Sequence, residues 1–167
     1  SNGNTTWLRI AGRPETEAHL DLPEREVSAE FFSTIGAKLA SGRYFTENDE
    51  QPAKPPVAIV NQAFARQHFP GEEAVGKRVT KRRDTPIEIV GVVEDVRQGP
   101  LNVPIRPVLY LPFHQNSDTY FTLIVRADLQ DEAALLPSIR RIIRNIHPEI
   151  VTRREFTMAE AINKTPA

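Results

Sequence analysis

The 167 residues carry 21 basic and 22 acidic side chains, a formal net charge of −1, and no cysteine. The near-neutral balance argues against a dedicated nucleic-acid binder, which would show a basic excess, and the missing thiols exclude disulfides, thiolate nucleophiles and cysteine-ligated zinc or iron–sulfur centres. At roughly 150 residues per domain the length is that of about one domain, large enough to bury a core without help from a metal.

In chain order, the first predicted element is a strand over Thr5 to Ile10, followed by a Gly12-Arg13-Pro14 turn. Residues 15–24 read as polar and irregular, and Glu26 to Ala29 as a short extended piece. Ser28 is the expected N-cap of a short helix over Glu30 to Ile35, which Gly36 stops. Leu39 to Phe45 turns at Ser41-Gly42, and residues 46–56 form an acidic, proline-bearing loop. Val57 to Val60 is a compact apolar strand. Asn61 then caps a helix through Ala63, Phe64, Ala65 and Phe69, ended by Pro70-Gly71.

A short strand around Val79 precedes the strongest strand signal, Ile87 to Val96, in which Gly91 predicts a bulge or a close backbone approach. After a proline-rich loop at 97–107, Val108 to Pro112 and Tyr120 to Ala127 read as strands joined by a turn at His114 to Asp118. Leu135, Leu136, Ile139, Ile142, Ile143 and Ile146 recur at the spacing of an amphipathic helix. Arg140, Arg141 and Arg144 form its wet face, and Arg153 and Arg154 extend this basic zone. Ile150 to Arg153 reads as a short strand and Met158 to Ile162 as a last helical turn. The order predicts an α+β fold of mixed or antiparallel sheets with short flanking helices, divisible into two small subdomains with boundaries near 46–56 and 114–118. No apolar run reaches the roughly 18–20 residues of a membrane-spanning helix, and no signal-peptide pattern is visible.

Few residues suggest chemistry. Gly71 to Arg78 has the spacing of a phosphate-binding loop up to Lys77, but Arg78 stands where a magnesium-binding hydroxyl belongs. The segment also leaves a helix and enters a strand, the reverse of a nucleotide loop, so a two-glycine turn is the simpler reading. Lys77, Arg78, Lys81, Arg82 and Arg83 are offset by Asp84 and Glu88 and read as a solvated hairpin tip. Glu47, Asp49 and Glu50 lack the glycine and terminal glutamate of a calcium hand. Glu94 and Asp95 are adjacent on extended backbone, so they point opposite ways and make a poor acid/base pair. His19, His68, His114 and His147 are far apart in sequence, and His147 suits a helix C-terminus. Tyr110, Phe113, Tyr120 and Phe121 read as sheet-face or core aromatics. No cofactor and no metal are expected. Two other classes stay open: a free-standing small-ligand module, which needs a deep apolar pocket, and a hydrolase, which needs a histidine within reach of a nucleophile in a cleft.

Several segments together resemble one family. Val27-Ser28-Ala29-Glu30-Phe31-Phe32 with Ile35-Gly36, Leu39-Ala40-Ser41-Gly42-Arg43-Tyr44-Phe45-Thr46, and Pro56-Val57-Ala58-Ile59-Val60-Asn61 occur in order. They are followed by Phe69-Pro70-Gly71-Glu72, by Ile89-Val90-Gly91-Val92-Val93 with Asp95-Val96-Arg97, and by Pro107-Val108-Leu109-Tyr110-Leu111-Pro112. This succession is similar to the MacB-like periplasmic core domain of ABC-transporter permeases of the FtsX type. It departs from the family pattern at Ala29, where proline is common, and at Ser41, where arginine is common.

The resemblance covers residues 26–163. It implies that residues 1–25 are a strand and irregular segment from a shortened opening part of the domain, and that 164–167 are a polar tail before a membrane helix. It also implies a noncatalytic domain outside the cytoplasmic membrane, which couples conformational change to a periplasmic partner or substrate. The implied partners are a cytoplasmic ATPase subunit acting through the permease, a periplasmic adaptor or lipoprotein, and a second permease copy, with no nucleic acid. The expected partner surface combines charge in the 46–56 loop with proline-ordered backbone in the 97–107 loop. Its residues are Glu47, Asp49, Glu50, Arg97, Asn102 and Arg106.

Overall fold

The computed structural model describes residues 5–12, 20–81, 85–96, 104–113, 121–128, 132–153 and 155–157. The chain divides into two compact units, Ser1–Arg97 with Pro104–Ile124, and Gln98–Val103 with Val125–Ala167. The division falls outside the 46–56 loop, which lies within the first unit.

The first unit is built on seven strands: β1 (Thr5–Ile10), β2 (Leu20–Val27), β3 (Leu39–Gly42), β4 (Val57–Asn61), β5 (Arg78–Thr80), β6 (Pro86–Val93) and β7 (Leu109–Pro112). Two short helices accompany them, α1 (Phe31–Ile35) and α2 (Gln62–His68). The strands run in the order β3-β6-β4-β7-β2-β1-β5, and β5 also pairs with β6. Six strands therefore close on themselves, with β3 added beside β6. The β4–β6 and β2–β7 ladders are parallel and the others antiparallel. Closure removes most of the free strand edges that would otherwise invite intermolecular pairing.

Side-chain alternation explains why this ring closes. Ala58 and Val60 of β4, Leu109 and Leu111 of β7, Ile87 and Ile89 of β6, Leu8 and Ile10 of β1, Leu22 of β2 and Val79 of β5 share one cluster. All six strands of the ring thus supply the same core, which Phe64, Phe69 and Ala74 join from α2 and the turn after it. The intervening residues Ile59, Val90, Val93 and Tyr110 face a second cluster with Val27, Phe32, Ala37 and Phe45. A strand buried on both faces reads as a continuous apolar run, which is what Val57 to Val60 and Ile87 to Val93 show.

Gly91 is the place where this alternation changes phase. Ala58 pairs with Ile89 but Ile59 pairs with Gly91, so Val90 is the extra residue of a bulge. Opposite it, Gly42 adopts φ 76°, and Gly42 and Gly91 face each other across the β3–β6 ladder. A side-chain carbon on Gly91 would collide with the Arg43 carbonyl, and one on Gly42 with the Val90 carbonyl.

The structure corrects several sequence expectations. Residues 20–24, expected to be irregular, belong to β2, which pairs with β1 and then with β7. Pro23 sits in the β1–β2 ladder, and the polar run Glu24-Arg25-Glu26 obscures the strand pattern. Ser28 does not cap α1 through its hydroxyl: Glu30 is the N-cap without a side-chain bond, and the Ser28 carbonyl accepts from the Phe31 N–H. Gly36 ends α1 in the left-handed conformation, as expected.

In the second unit, the 3-10 turn Glu132–Leu135 leads into α3 (Leu136–Ile146), with Pro137 in its first turn and His147 as C-cap. Of the expected strands 120–127 and 150–153, the described residues 121–127 and 150–153 are not in strands. β-branched composition favours extended backbone, but a strand exists only where a neighbour takes its hydrogen bonds. The expected turn at 114–118 and helical turn at 158–162 lie outside the described residues, as do His19, His114, Tyr120, Arg82, Arg83 and Arg154.

Candidate functional site

The acidic loop after β3 folds into a 3-10 turn, Glu47–Glu50, and its three acids take different roles. Asp49 turns inward and is 9% exposed. Its Oδ2 accepts from Arg43 Nη1 at 2.7 Å, from the Thr46 N–H at 2.8 Å and from Thr46 Oγ1 at 3.0 Å. Its Oδ1 accepts from Arg43 Nη2 at 3.0 Å, which completes a two-pronged pair. The Arg43 guanidinium holds the Asp49 carboxyl below the usual carboxylate range, assisted by the Thr46 donors and opposed by burial. The same pair raises the Arg43 pKa. Glu50 Oε1 accepts from the Ala29 N–H at 2.8 Å, tying the loop to the chain just before α1. Glu47 is exposed to solvent. The loop is thus a clasp that presents Glu47 on a fixed backbone.

Arg106 lies on the segment leading into β7, with an exposed side chain. Its carbonyl is fixed by Asn61, whose Nδ2 donates to it at 2.9 Å. The Asn61 Oδ1 accepts from the Phe64 N–H at 3.1 Å, capping α2 as the sequence suggested, and also from the Val108 N–H at 3.0 Å. One buried amide therefore fastens the helix start to the 104–108 segment. Arg97 and Asn102 lie outside the described residues.

Sequence reasoning treated Asp95 only as a poor acid/base partner of Glu94. In the structure Asp95 Oδ1 accepts from the Ala63 N–H at 2.8 Å, and its Oδ2 pairs with Arg66 at 2.6 Å. It is a second anchor for the N-terminus of α2, where a carboxylate complements the helix dipole. The signal was present in the resemblance, where Asp95 is one of the motif positions.

The turn at 71–78 has the geometry of its simple reading. Gly71 and Gly76 take φ 75° and 84°, and Lys77 pairs with Glu72 at 2.7 Å. The segment ends at β5 rather than opening a helix. Lys81 pairs with Glu24 at 2.6 Å. Among the described residues no three histidine, aspartate or glutamate side chains converge as metal ligands. His68 is buried against the Phe64 ring, and His147 is exposed at the end of α3. Tyr110 is buried against Phe32, and that burial raises its phenol pKa, whereas Phe121 is 64% exposed.

In the second unit a hollow of about 300 Å³ is lined by Pro137, Arg140, Arg141, Arg144 and Asn145. Small-molecule pockets enclose most of their ligand between apolar walls. This hollow is open and edged by three arginines, so it offers no such enclosure. Arg140 Nε bonds Glu155 Oε2 at 2.6 Å. Among the described residues no helix is long and apolar enough to cross a membrane.

Comparison with known proteins agrees with this geometry. Residues 7–142 match the family described as the MacB-like periplasmic core domain. A search of the curated proteins finds no match. Among solved structures, the periplasmic region of MacB from Actinobacillus actinomycetemcomitans aligns with TM-score 0.62 and 19% identity, covering 87% of this chain and 64% of that one. The extracellular domain of the noncanonic ABC-type transporter YknZ from Gram-positive bacteria aligns with TM-score 0.56 and 20% identity, covering 87% of this chain and 73% of that one. A domain of a putative permease from Porphyromonas gingivalis aligns with TM-score 0.56 and 17% identity, covering 93% and 76%. The chain therefore spans less than two thirds of the MacB region, and these three likenesses establish the fold. The family match covers most of the chain: the protein belongs to the MacB-like periplasmic core domain family.

Proposed function

We propose that this domain sits between membrane helices of an FtsX-type permease, on the periplasmic face of the bacterial cytoplasmic membrane. There it passes conformational change between the permease and a periplasmic partner or substrate. ATP is hydrolysed by a separate cytoplasmic subunit, and a second permease copy completes the complex. The observation that carries this reading is the family match over residues 7–142. A closed strand ring with two buried faces also suits a part that must transmit force without deforming.

The partner contact is proposed for the exposed members of the two loops, chiefly Glu47 and Arg106. Asp49 and Glu50 support that surface from within, because their carboxylates are committed to Arg43, Thr46 and the Ala29 N–H.

Crosslinking the full-length protein in membranes tests the contact. A photocrosslinker placed at the exposed position 48 should capture a periplasmic adaptor or lipoprotein, and Glu47→Lys should reduce that capture several-fold with an unchanged melting temperature. Unchanged capture in Glu47→Lys rejects the loop as the contact. Absence of flanking membrane helices in the complete gene product rejects the permease reading itself.

A further inference from the structure

Helix α1 is too short to stand by itself. Five residues form it, with no side-chain cap and no acid in the first turn, whereas isolated helices need roughly 12–15 residues to hold in water. The segment 43–50 supplies what the helix lacks. At the C-terminal end of α1 the Tyr44 hydroxyl donates to the Ala37 carbonyl at 2.8 Å. At the N-terminal end the Glu50 carboxylate accepts from the Ala29 N–H at 2.8 Å. Between these two fasteners, the Tyr44 and Phe45 ring centroids each lie 5.9 Å from that of Phe32, the buried aromatic of α1.

The dependence runs both ways. The strap holds one 3-10 turn, closed by Asp49 on Thr46 and Arg43, and its far end is fixed to the chain before α1 through Glu50. Both pieces pack in the second cluster, and neither contributes a residue to the first, which fills the ring from all six of its strands. The strap meets the sheet at Arg43, whose N–H donates to the Val90 carbonyl at 2.9 Å. Helix α1 meets it through Phe32, which stands edge-on to Tyr110 at 5.1 Å. This outer layer can therefore detach while the ring keeps its own core, which is the condition for a cooperative unit that opens below the free energy of global unfolding.

We propose that α1 and the strap 43–50 form one latch on the outer face of the ring, opening and closing as a unit while the ring stays folded. Glu47 stands on this strap. A partner that holds Glu47 in place therefore favours the closed latch, and by linkage the closed latch favours that partner. The proposal deepens the contact reading at Glu47 and rests on it for its functional meaning, while the latch itself is a property of the free chain.

Amide hydrogen exchange, read residue by residue in the 167-residue chain, tests it. Tyr44→Phe keeps the ring and removes only the fastener at Ala37. It should nonetheless speed exchange at Ala29 and Thr46, beyond the other end of α1, by about fivefold. Glu50→Ala removes the fastener at Ala29 and should speed exchange at Ala37 by about fivefold or more. Ile89, whose N–H donates to the Lys77 carbonyl beside β5 at 2.9 Å, should keep its wild-type rate in both variants. Acceleration confined to the amide next to each substitution would mean two independent fasteners, and equal acceleration at Ile89 would mean that the outer layer opens only with the ring. Either result overturns the proposal, as does an unchanged rate at all of these amides in both variants. The crosslinking test of the Glu47 contact is untouched by these outcomes, so failure of the latch is distinguishable from failure of that contact.

Discussion

The two units of this chain solve the problem of apolar surface in opposite ways. In the first, strands buried on both faces supply two clusters, and every buried hydrophobic residue among the described ones belongs to this unit. In the second, the most regular apolar pattern of the sequence forms α3, yet none of its residues is buried. Periodicity therefore reports which face of an element is apolar, and the fold alone decides whether anything lies against that face. Stability should accordingly concentrate in the strand ring, and substitutions of equal size should have very different costs in the two units.

The largest effect is expected where the ring tolerates no atom at all. Gly91→Ala places a methyl group against the Arg43 carbonyl, and Gly42→Ala meets the Val90 carbonyl while also straining a φ of 76°. Both neighbours are backbone, which cannot rotate away, and the Arg43 N–H donates to that same Val90 carbonyl at 2.9 Å. Either substitution should cost about 4 kcal/mol or more, enough to abolish a two-state thermal transition near physiological temperature. A loss under about 1 kcal/mol in denaturant titration would show that the β3–β6 approach is loose, and the contrast between the units would weaken accordingly.

A smaller effect belongs to the Arg43–Asp49 clasp. Asp49→Ala removes a two-pronged charge-assisted pair and both Thr46 contacts, but the Arg43 end is half exposed, so solvent screens part of the gain. A loss of about 1–2 kcal/mol is expected, against no measurable change for Glu47→Ala in the same loop. The pH dependence has a definite sign. The folded-state pKa of Asp49 is depressed, so its contribution is present above the ordinary carboxylate pKa of about 4 and disappears as pH falls through the lower folded value. Denaturant titrations between pH 7 and pH 2 should show the wild type losing its advantage over Asp49→Ala in that acidic window. A constant difference across the range would mean that the clasp is held by packing rather than by charge.

Much of the first unit is legible in the sequence because local and tertiary signals agree there. Val57 to Val60 and Ile87 to Val93 are apolar without interruption because both faces are covered, and Gly91 marks the bulge and the close approach together. Asn61 is readable as a cap because side-chain capping is a short-range device. What sequence does not reveal is decided at long range. β2 forms despite Pro23 and three consecutive charged residues because β1 and β7 supply its hydrogen bonds. Asp95 serves a helix more than 30 positions earlier. The inward turn of Asp49 and Glu50 depends on Arg43 and the Ala29 N–H, so a run of acids that reads as a solvated patch is half structural. Residues 121–127 have the composition of a strand but form none among the described residues.

The smallest expected effect is the most direct test of the contrast between the units. Ile89 is fully buried inside the ring, whereas Ile146 is 76% exposed on α3. Truncation to alanine removes the same atoms at both sites. At Ile89 the lost transfer energy is joined by a cavity that a closed ring cannot collapse, for a cost of about 2–5 kcal/mol. At Ile146 the side chain touches mostly solvent, and alanine has the higher helix propensity, so the change should stay within about 0.5 kcal/mol of zero. Equilibrium unfolding of the two variants measures both. A comparable loss at Ile146 would mean that its face is covered in solution, which would place the second unit under the same packing rule as the first.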